Sequence, residues 1–347
     1  MPDTFAATLL NWFDLHGRKN LPWQQNINAY RVWVSEIMLQ QTQVTTVIPY
    51  YQRFMQRFPD AASLSAAALD DVLHLWTGLG YYARARNLHK TAQQIVEVYQ
   101  GEFPNSVEAL QNLPGIGRST AGAICAIAFN QQATILDGNV KRVLARYHAI
   151  GGWPGKTAVS KLLWEKAEEY TPGERTADYT QAIMDLGATL CTRSKPDCPG
   201  CPLQQDCIAF RQKRQSDFPG SKPKKTQPVK NILLLIMRNN RGQVLLEKRP
   251  ATGIWGGLWS FPECGPEGEI APLCLNYGLK VKSWQSLPQQ RHTFSHFHLD
   301  YRPTIVETEQ QSAVMDTPPL IWHYPDEPLT QGTATPIKNL LTEITQY

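Results

Sequence analysis

Leu113-Pro114-Gly115-Ile116-Gly117-Arg118-Ser119-Thr120-Ala121 stands between two stretches of helical periodicity, Val107 to Gln111 before it and Ser119 to Phe129 after it. Two glycines around one apolar residue allow a tight turn whose backbone N–H groups point outward, and the second helix begins with the positive end of its dipole on the same side. Amides so arranged hold phosphate without reading base sequence, which is the helix-hairpin-helix way of gripping a nucleic-acid backbone. A plain αα-hairpin turn also uses Gly, so both readings stay open on this stretch alone.

Helical patterning continues on either side. Tyr30 to Val44, Leu64 to Trp76 and Arg84 to Tyr99 precede the hairpin, and Val140 to His148, Ala158 to Tyr170 and Asp178 to Cys191 follow it. Pro59, Gly78, Gly80, Gly101, Pro104, Pro154 and Pro172 punctuate them. An all-α domain is therefore expected over residues 1–212. Charge is balanced over residues 1–210, with 18 Lys+Arg against 18 Asp+Glu, but residues 211–230 carry seven basic residues against Asp217 alone. That concentration, with Pro219, Gly220, Pro223 and Pro228, reads as an extended linker over 213–230, able to lie along a polyanion or to serve as a solvated tether. Beyond it the texture changes. Ile232 to Met237, a turn at Asn239 to Gly242, and Val244 to Leu246 form a β-hairpin pattern, Arg291 to Val306 is strand-like, and Ile337 to Ile344 suggests a closing helix. Residues 231–347 are expected to form an α+β domain. The chain of 347 residues accommodates both cores. Its longest aliphatic run, Ile232 to Met237, is far short of the roughly 20 residues a membrane span needs, and residues 1–20 show no secretory signal. A monomer in the cytoplasm, with no membrane partner, is expected.

Four of the seven cysteines, Cys191, Cys198, Cys201 and Cys207, are separated by gaps of six, two and five residues. In a cytoplasmic chain such density points to metal ligation rather than disulfides. Four thiolates suit an iron-sulfur cubane or a tetrahedral zinc; a single Cys-x-x-Cys pair favours the former without settling it. Cys125 lies in an apolar run and reads as core, and Cys264 and Cys274 show no partner pattern.

Two carboxylates stand out. Glu36 is surrounded at helical spacing by Val32, Trp33 and Leu39, so it is either paired with an unseen Arg or buried unpaired, with a raised pKa that lets it give a proton near neutral pH. Asp137, between Leu136 and Gly138-Asn139, is either the N-cap of the following helix or a carboxylate set to stabilise positive charge on a sugar carbon.

The hairpin, Asp137 twenty residues after Gly117, and then the four cysteines together resemble the endonuclease III superfamily of DNA glycosylases. Leu21-Pro22-Trp23, Glu36 to Gln43, Gly78 to Tyr82 and Ala133 to Arg142 are similar, more narrowly, to its adenine-specific family. Gly253 to Pro262 and Arg291 to His298 resemble the MutT-like (Nudix-like) domain that this family appends. The resemblance implies a base excision repair enzyme, acting on the bacterial nucleoid, that flips adenine mispaired with 8-oxoguanine or guanine out of duplex DNA and hydrolyses its N-glycosidic bond. By the same resemblance Glu36 protonates the base at N7, Asp137 stabilises the sugar and Asn139 orients Asp137. Trp23, Ser119 and Gln181 enclose the adenine, Gln41 and Tyr81 enter the duplex, and Gly115 and Gly117 hold phosphate. Phe294, Ser295 and His296 read 8-oxoguanine, and the cysteines carry a [4Fe-4S] cluster (zinc the alternative) beside Arg193 and Lys195.

Two departures carry information. Ser119 stands where strand-cleaving relatives place a lysine, implying a monofunctional enzyme, with Lys141 near enough in sequence to Asp137 to trap the sugar weakly. No glutamate-rich Nudix box occurs between Phe261 and Trp284, so hydrolysis of free nucleotides is not expected. His292, His296 and His298 would share one face if they lay on a single strand, an alternative metal site with only Asp300 as a nearby acidic ligand.

Overall fold

The computed structural model describes residues 2–223, 226–311 and 319–346. Its contacts divide the chain into two compact units, residues 1–66 with 87–224 and residues 67–86 with 225–347.

The first unit is helical. It contains α1 (Pro2–His16), α2 (Ala29–Leu39), α3 (Val44–Arg57), α4 (Ala61–Ser65) and, after the segment that carries α5 (Leu69–Trp76), most of α6 (Ala83–Tyr99). There follow α7 (Val107–Gln111), α8 (Arg118–Phe129), α9 (Gly138–Tyr147), α10 (Thr157–Tyr170), α11 (Thr176–Thr189) and α12 (Ile208–Arg211). α2 packs on α8, and α11 packs on both α8 and α9. Helix α1 escapes the sequence reading although its pattern is regular: Phe5, Leu9 and Phe13, at i, i+4 and i+8, are buried in a core with Val140, Leu144 and Ile183. The helix expected over Tyr30 to Val44 ends instead at Leu39. Gln41 adopts φ +57°, which no helix accommodates, and a separate helix with Val47, Tyr51 and Phe54 buried begins at Val44. The stretch Leu64 to Trp76 is likewise two helices, α4 capped by Asp60 and α5.

The second unit is built on a mixed sheet. β1 (Val229–Arg238) and β2 (Val244–Lys248) form the expected hairpin, with Arg238 opposite Val244, and are followed by β3 (Trp259–Ser260), β4 (Glu263–Cys264) and α13 (Ile270–Asn276). β5 (Leu279–Ser286), β6 (Gln290–Thr293), β7 (His298–Gln310), β8 (Leu320–His323) and α14 (Thr335–Glu343) complete it. β7 is the spine. It runs parallel to β1 from Val229 opposite His298 to Arg238 opposite Glu307, and antiparallel to β5 and β6.

The observed units depart from the expected domain boundaries at two places. Residues 67–86 group with the second unit rather than the first. The start of the basic linker is not extended: Arg146 donates to the carbonyls of Gln215 and Phe218, and Gly220 N–H donates to Gly152 O at 3.0 Å, so residues 213–220 lie on the helical unit. No helix among the described residues is long and apolar enough to cross a membrane.

Candidate active site

α2 turns Glu36 toward the helices that carry Asp137. Its side chain retains some exposure, yet protein surrounds the carboxyl, and burial followed by the nearby charge of Asp137 pushes it up to about 8. Among the described residues no cation offsets this, so the alternative of a Glu held by an Arg is set aside. Asp137 is the N-cap that one of its readings expects. Its Oδ1 accepts from Val140 N–H at 2.8 Å, capping α9, and its Oδ2 accepts from Asn139 Nδ2 at 3.1 Å. Burial nonetheless raises its carboxyl above the ordinary value, against the pull of these bonds and of Arg142. Burial raises both carboxyls, Glu36 to about 8, and only Asp137 has hydrogen-bond donors that work against the shift. That asymmetry gives the two carboxyls unlike environments within one site.

Asp137 is held by a relay. Asn139 Oδ1 accepts from Arg142 Nη2 at 2.8 Å, and Arg142 also donates to Gly187 O at 2.6 Å and to Cys191 O at 2.7 Å. Gly187 is required here, since a Cβ would lie 2.6 Å from Asn139 Cβ. Ser119 Oγ accepts from Leu136 N–H at 3.0 Å and so ties the first turn of α8 to the chain entering Asp137. Gln181 Nε2 donates to Asp185 Oδ1 at 3.0 Å. That fully buried carboxylate also takes three bonds from Arg18, through its backbone N–H, Nε and Nη2. Sequence reading missed Arg18, Arg142 and Asp185. The signal for Asp185 was the one that exposed Glu36, an acid among Ala182, Ile183 and Leu186 on an apolar helix.

Trp23 is buried, packed edge-on against Tyr51 at 5.5 Å. Gln41 and Tyr81 are both exposed and both occupy left-handed backbone, φ +57° and +50°, a conformation rare for such residues. In the hairpin, Ile116 is buried between exposed Gly115 and Gly117. Gly115 needs its glycine, with φ +79° and a would-be Cβ 2.9 Å from Asn87 Cβ. Gly117 has ordinary backbone and open space around it, and α8 begins there with no side chain capping its first amides. Lys141 sits in the first turn of α9, its N–H bonded to Asp137 O at 2.9 Å.

Cys191, Cys198, Cys201 and Cys207 line one recess walled by Val143, Leu186, Leu203 and Phe210. Arg146 donates to Cys191 Sγ at 3.3 Å and Gln215 to Cys198 Sγ at 3.6 Å, the kind of donors that steady anionic sulfur. Four cysteine sulfurs around one recess are the donor set of a metal centre, although among the described residues no three His, Cys, Asp or Glu side chains gather closely enough to hold an ion.

In the second unit the turn between β6 and β7 is closed by Phe294 N–H to Phe297 O at 2.9 Å, leaving Ser295 and His296 exposed at its tip. The three histidines do not share a strand: His292 is on β6, His296 in the turn and His298 on β7, and Asp300 is engaged by Arg291. The alternative metal site fails on that geometry.

Two family models match the chain: HhH-GPD superfamily base excision DNA repair protein over residues 34–169, and NUDIX domain over residues 233–343. The chain is 40% identical to adenine DNA glycosylase of Buchnera aphidicola subsp. Baizongia pistaciae over 99% of this chain and 97% of that protein. It is 35% identical to adenine DNA glycosylase of Homo sapiens over 97% and 73%. Among solved structures, a thermostable thymine-DNA glycosylase aligns with TM-score 0.56 at 27% identity, covering 61% of this chain and 97% of that one. A non-covalent endonuclease III–DNA complex aligns with TM-score 0.52 at 22% identity, covering 61% and 98%, a likeness of fold.

Proposed function

The chain belongs to the adenine DNA glycosylase family of HhH-GPD base excision repair enzymes, and from that membership we propose that it removes adenine mispaired with 8-oxoguanine or guanine in duplex DNA, leaving an abasic site. The observation that carries the chemistry is the pair of unlike carboxyls, Glu36 desolvated and pushed up to about 8 and Asp137 hydrogen-bonded by Asn139 and by Val140 N–H. Glu36 gives its proton to adenine N7, the bond from C1′ to the base nitrogen breaks with its electron pair going to the purine, and positive charge develops on the sugar. Asp137 stabilises that charge until water adds at C1′. Ser119 offers no amine for a Schiff base, which supports a monofunctional enzyme.

The exposed amides at Gly115 and Gly117 suit phosphate, and Gln41 and Tyr81 suit entry into the duplex. Phe294, Ser295 and His296 suit reading the base opposite adenine. Cys191, Cys198, Cys201 and Cys207 would hold a [4Fe-4S] cluster, which when bound fixes the loop bearing Arg193 and Lys195 against DNA. A cytoplasmic enzyme working as a monomer on chromosomal DNA fits this reading.

The test is a single-turnover assay on duplex with adenine opposite 8-oxoguanine, with adenine opposite thymine as control, for wild type and Glu36→Gln, with and without alkali. Cleavage that needs alkali, occurs only at the mispaired adenine and disappears in the variant supports the proposal. Base release retained by Glu36→Gln, or strand cleavage without alkali, refutes the roles given to Glu36 and Ser119.

A further inference from the structure

Residues 67–86 fall within the sequence matched by the helical repair model, yet their contacts place them in the unit of the MutT-like domain. Three polar anchors hold them there. Arg86 Nη1 donates to Gly256 O at 2.7 Å, Tyr82 Oη donates to Thr333 O at 2.8 Å, and Asp70 pairs with Lys248 Nζ at 2.7 Å. The apolar contact is equally close: a Cβ on Gly332 would lie 2.6 Å from Leu73 Cβ, so the backbone at Gly332 passes over α5 with no room to spare.

Arg86 is the informative anchor. Its guanidinium is half-buried, and among the described residues no carboxylate compensates it. It gives up hydration for a backbone carbonyl, a costly arrangement unless that carbonyl must be held in place. The carbonyl belongs to a constrained turn. A Cβ on Gly256 would meet Ala251 O at 2.6 Å, and Trp255 before it has left-handed backbone at φ +52°. The Trp255 ring in turn lies 5.9 Å from His292 and 6.2 Å from Phe294, the residue that opens the exposed turn Phe294 to Phe297. Five residues before Arg86, on the same segment, stands exposed Tyr81.

We propose that Arg86 is a positioning residue that sets the Tyr81 turn and the Phe294 turn in fixed mutual register, so that what enters the duplex and what reads the base opposite adenine act as one piece. The consequence for activity rests on the reading that these two turns meet the base opposite adenine. Arg86 touches neither substrate nor reacting atoms. Its effect is on the choice between 8-oxoguanine and guanine, not on the chemistry at Glu36 and Asp137.

The experiment uses the full-length protein with its cluster intact, as wild type, Arg86→Met and Tyr82→Phe, the last removing only a hydroxyl. Amide hydrogen exchange is measured across the chain, and single-turnover rates are measured on adenine opposite 8-oxoguanine and opposite guanine. In Arg86→Met, exchange is expected to rise over residues 251–258 and 292–297 and to stay unchanged over 118–145. The preference for 8-oxoguanine is expected to fall about tenfold, the loss one charge-assisted hydrogen bond supplies, with the rate opposite guanine retained. Tyr82→Phe is expected to shift the same readouts in the same direction by less. Unchanged exchange over 251–258 in Arg86→Met overturns the tie. Equal losses on both duplexes overturn the positioning role. A wild type without preference overturns the reading of the opposite base, while the exchange comparison still decides the tie by itself.

Discussion

Glu36 is a carboxyl whose protonation is favoured by the fold, and the sign of its contribution to stability follows. The unfolded chain ionises it near pH 4.5 and the native chain near 8, so between these limits the native state binds more protons and stability falls as pH rises. Glu36→Gln is expected to stabilise the protein by about 2 kcal/mol at pH 7, after allowance for water at the partly exposed carboxyl, and to flatten the pH dependence of stability over that window. Urea denaturation from pH 5 to 8 checks this; a variant no more stable than wild type at pH 7 refutes the desolvated acid. Asp185 carries the opposite expectation. Being acceptor-only, it obliges the Gln181 amide to present its nitrogen inward and so leaves the carbonyl oxygen available. In Asp185→Asn the amide can turn, and Arg18 loses its partner. We expect about 2 kcal/mol of destabilisation, since Arg18 is partly exposed, together with a reduced preference for adenine over hypoxanthine as the excised base. Thermal unfolding and a competition assay with the two bases separate the two effects.

The hairpin of α7 and α8 shows how much a sequence discloses and where it stops. Its helices, its turn and its exposed glycines follow from Leu113 to Ala121 because local conformation there depends on residues a few positions apart. The same locality explains the errors. No Gly or Pro marks the break at Gln40 to Gln43, where Gln41 takes left-handed backbone, and one helix was expected where two exist. Glu36 and Asp137 were legible as candidates because an acid on an apolar face and an acid before Gly-Asn are local signals. Arg142 was not, since its partners Gly187 and Cys191 lie about fifty residues away and only the fold brings them together. The two glycines make this contrast testable. Gly117→Ala meets no atom and requires no positive φ, so stability should change by less than about 0.5 kcal/mol, while DNA affinity falls as the methyl group stands off the phosphate. Gly115→Ala should destabilise by about 1–2 kcal/mol at φ +79° against Asn87. Thermal melts with fluorescence-anisotropy titrations of duplex DNA distinguish them; an unchanged affinity in Gly117→Ala would remove the assignment of Gly117 to phosphate contact.

Across the whole chain, polarity is distributed unevenly, and the distribution bears on how DNA is held. The formal charge of +4 arises from residues 211–230, because residues 1–210 are balanced and residues 231–347 carry nine basic against eleven acidic residues. A repair enzyme must bind a polyanion, yet the chain on either side of residues 211–230 supplies no net positive charge. The helical unit offers backbone amides and a few local cations, and residues 231–347 are slightly acidic. Sequence alone leaves this segment open between a tether and a strip lying on DNA, and the fold narrows the choice. Residues 213–220 are fixed on the helical unit by Arg146 and Gly152, and Lys222 lies over the Trp153 ring at 5.6 Å, so at least the first part of the segment is not a free tether. If the basic residues that follow it neutralise phosphates, each pairing releases counterions, and affinity must depend on salt accordingly. Replacing Lys222, Lys224 and Lys225 by Ser is then expected to make the slope of log affinity against log salt shallower by as much as about 2.7, at roughly 0.9 for each phosphate no longer neutralised. The single-turnover rate at saturating enzyme should be unchanged, because the chemistry assigned to Glu36 and Asp137 uses none of the three. Anisotropy titrations between low and physiological salt measure the slope directly. An unchanged slope would assign the segment to joining the two units and leave the hairpin amides and the cysteine loop to hold the duplex.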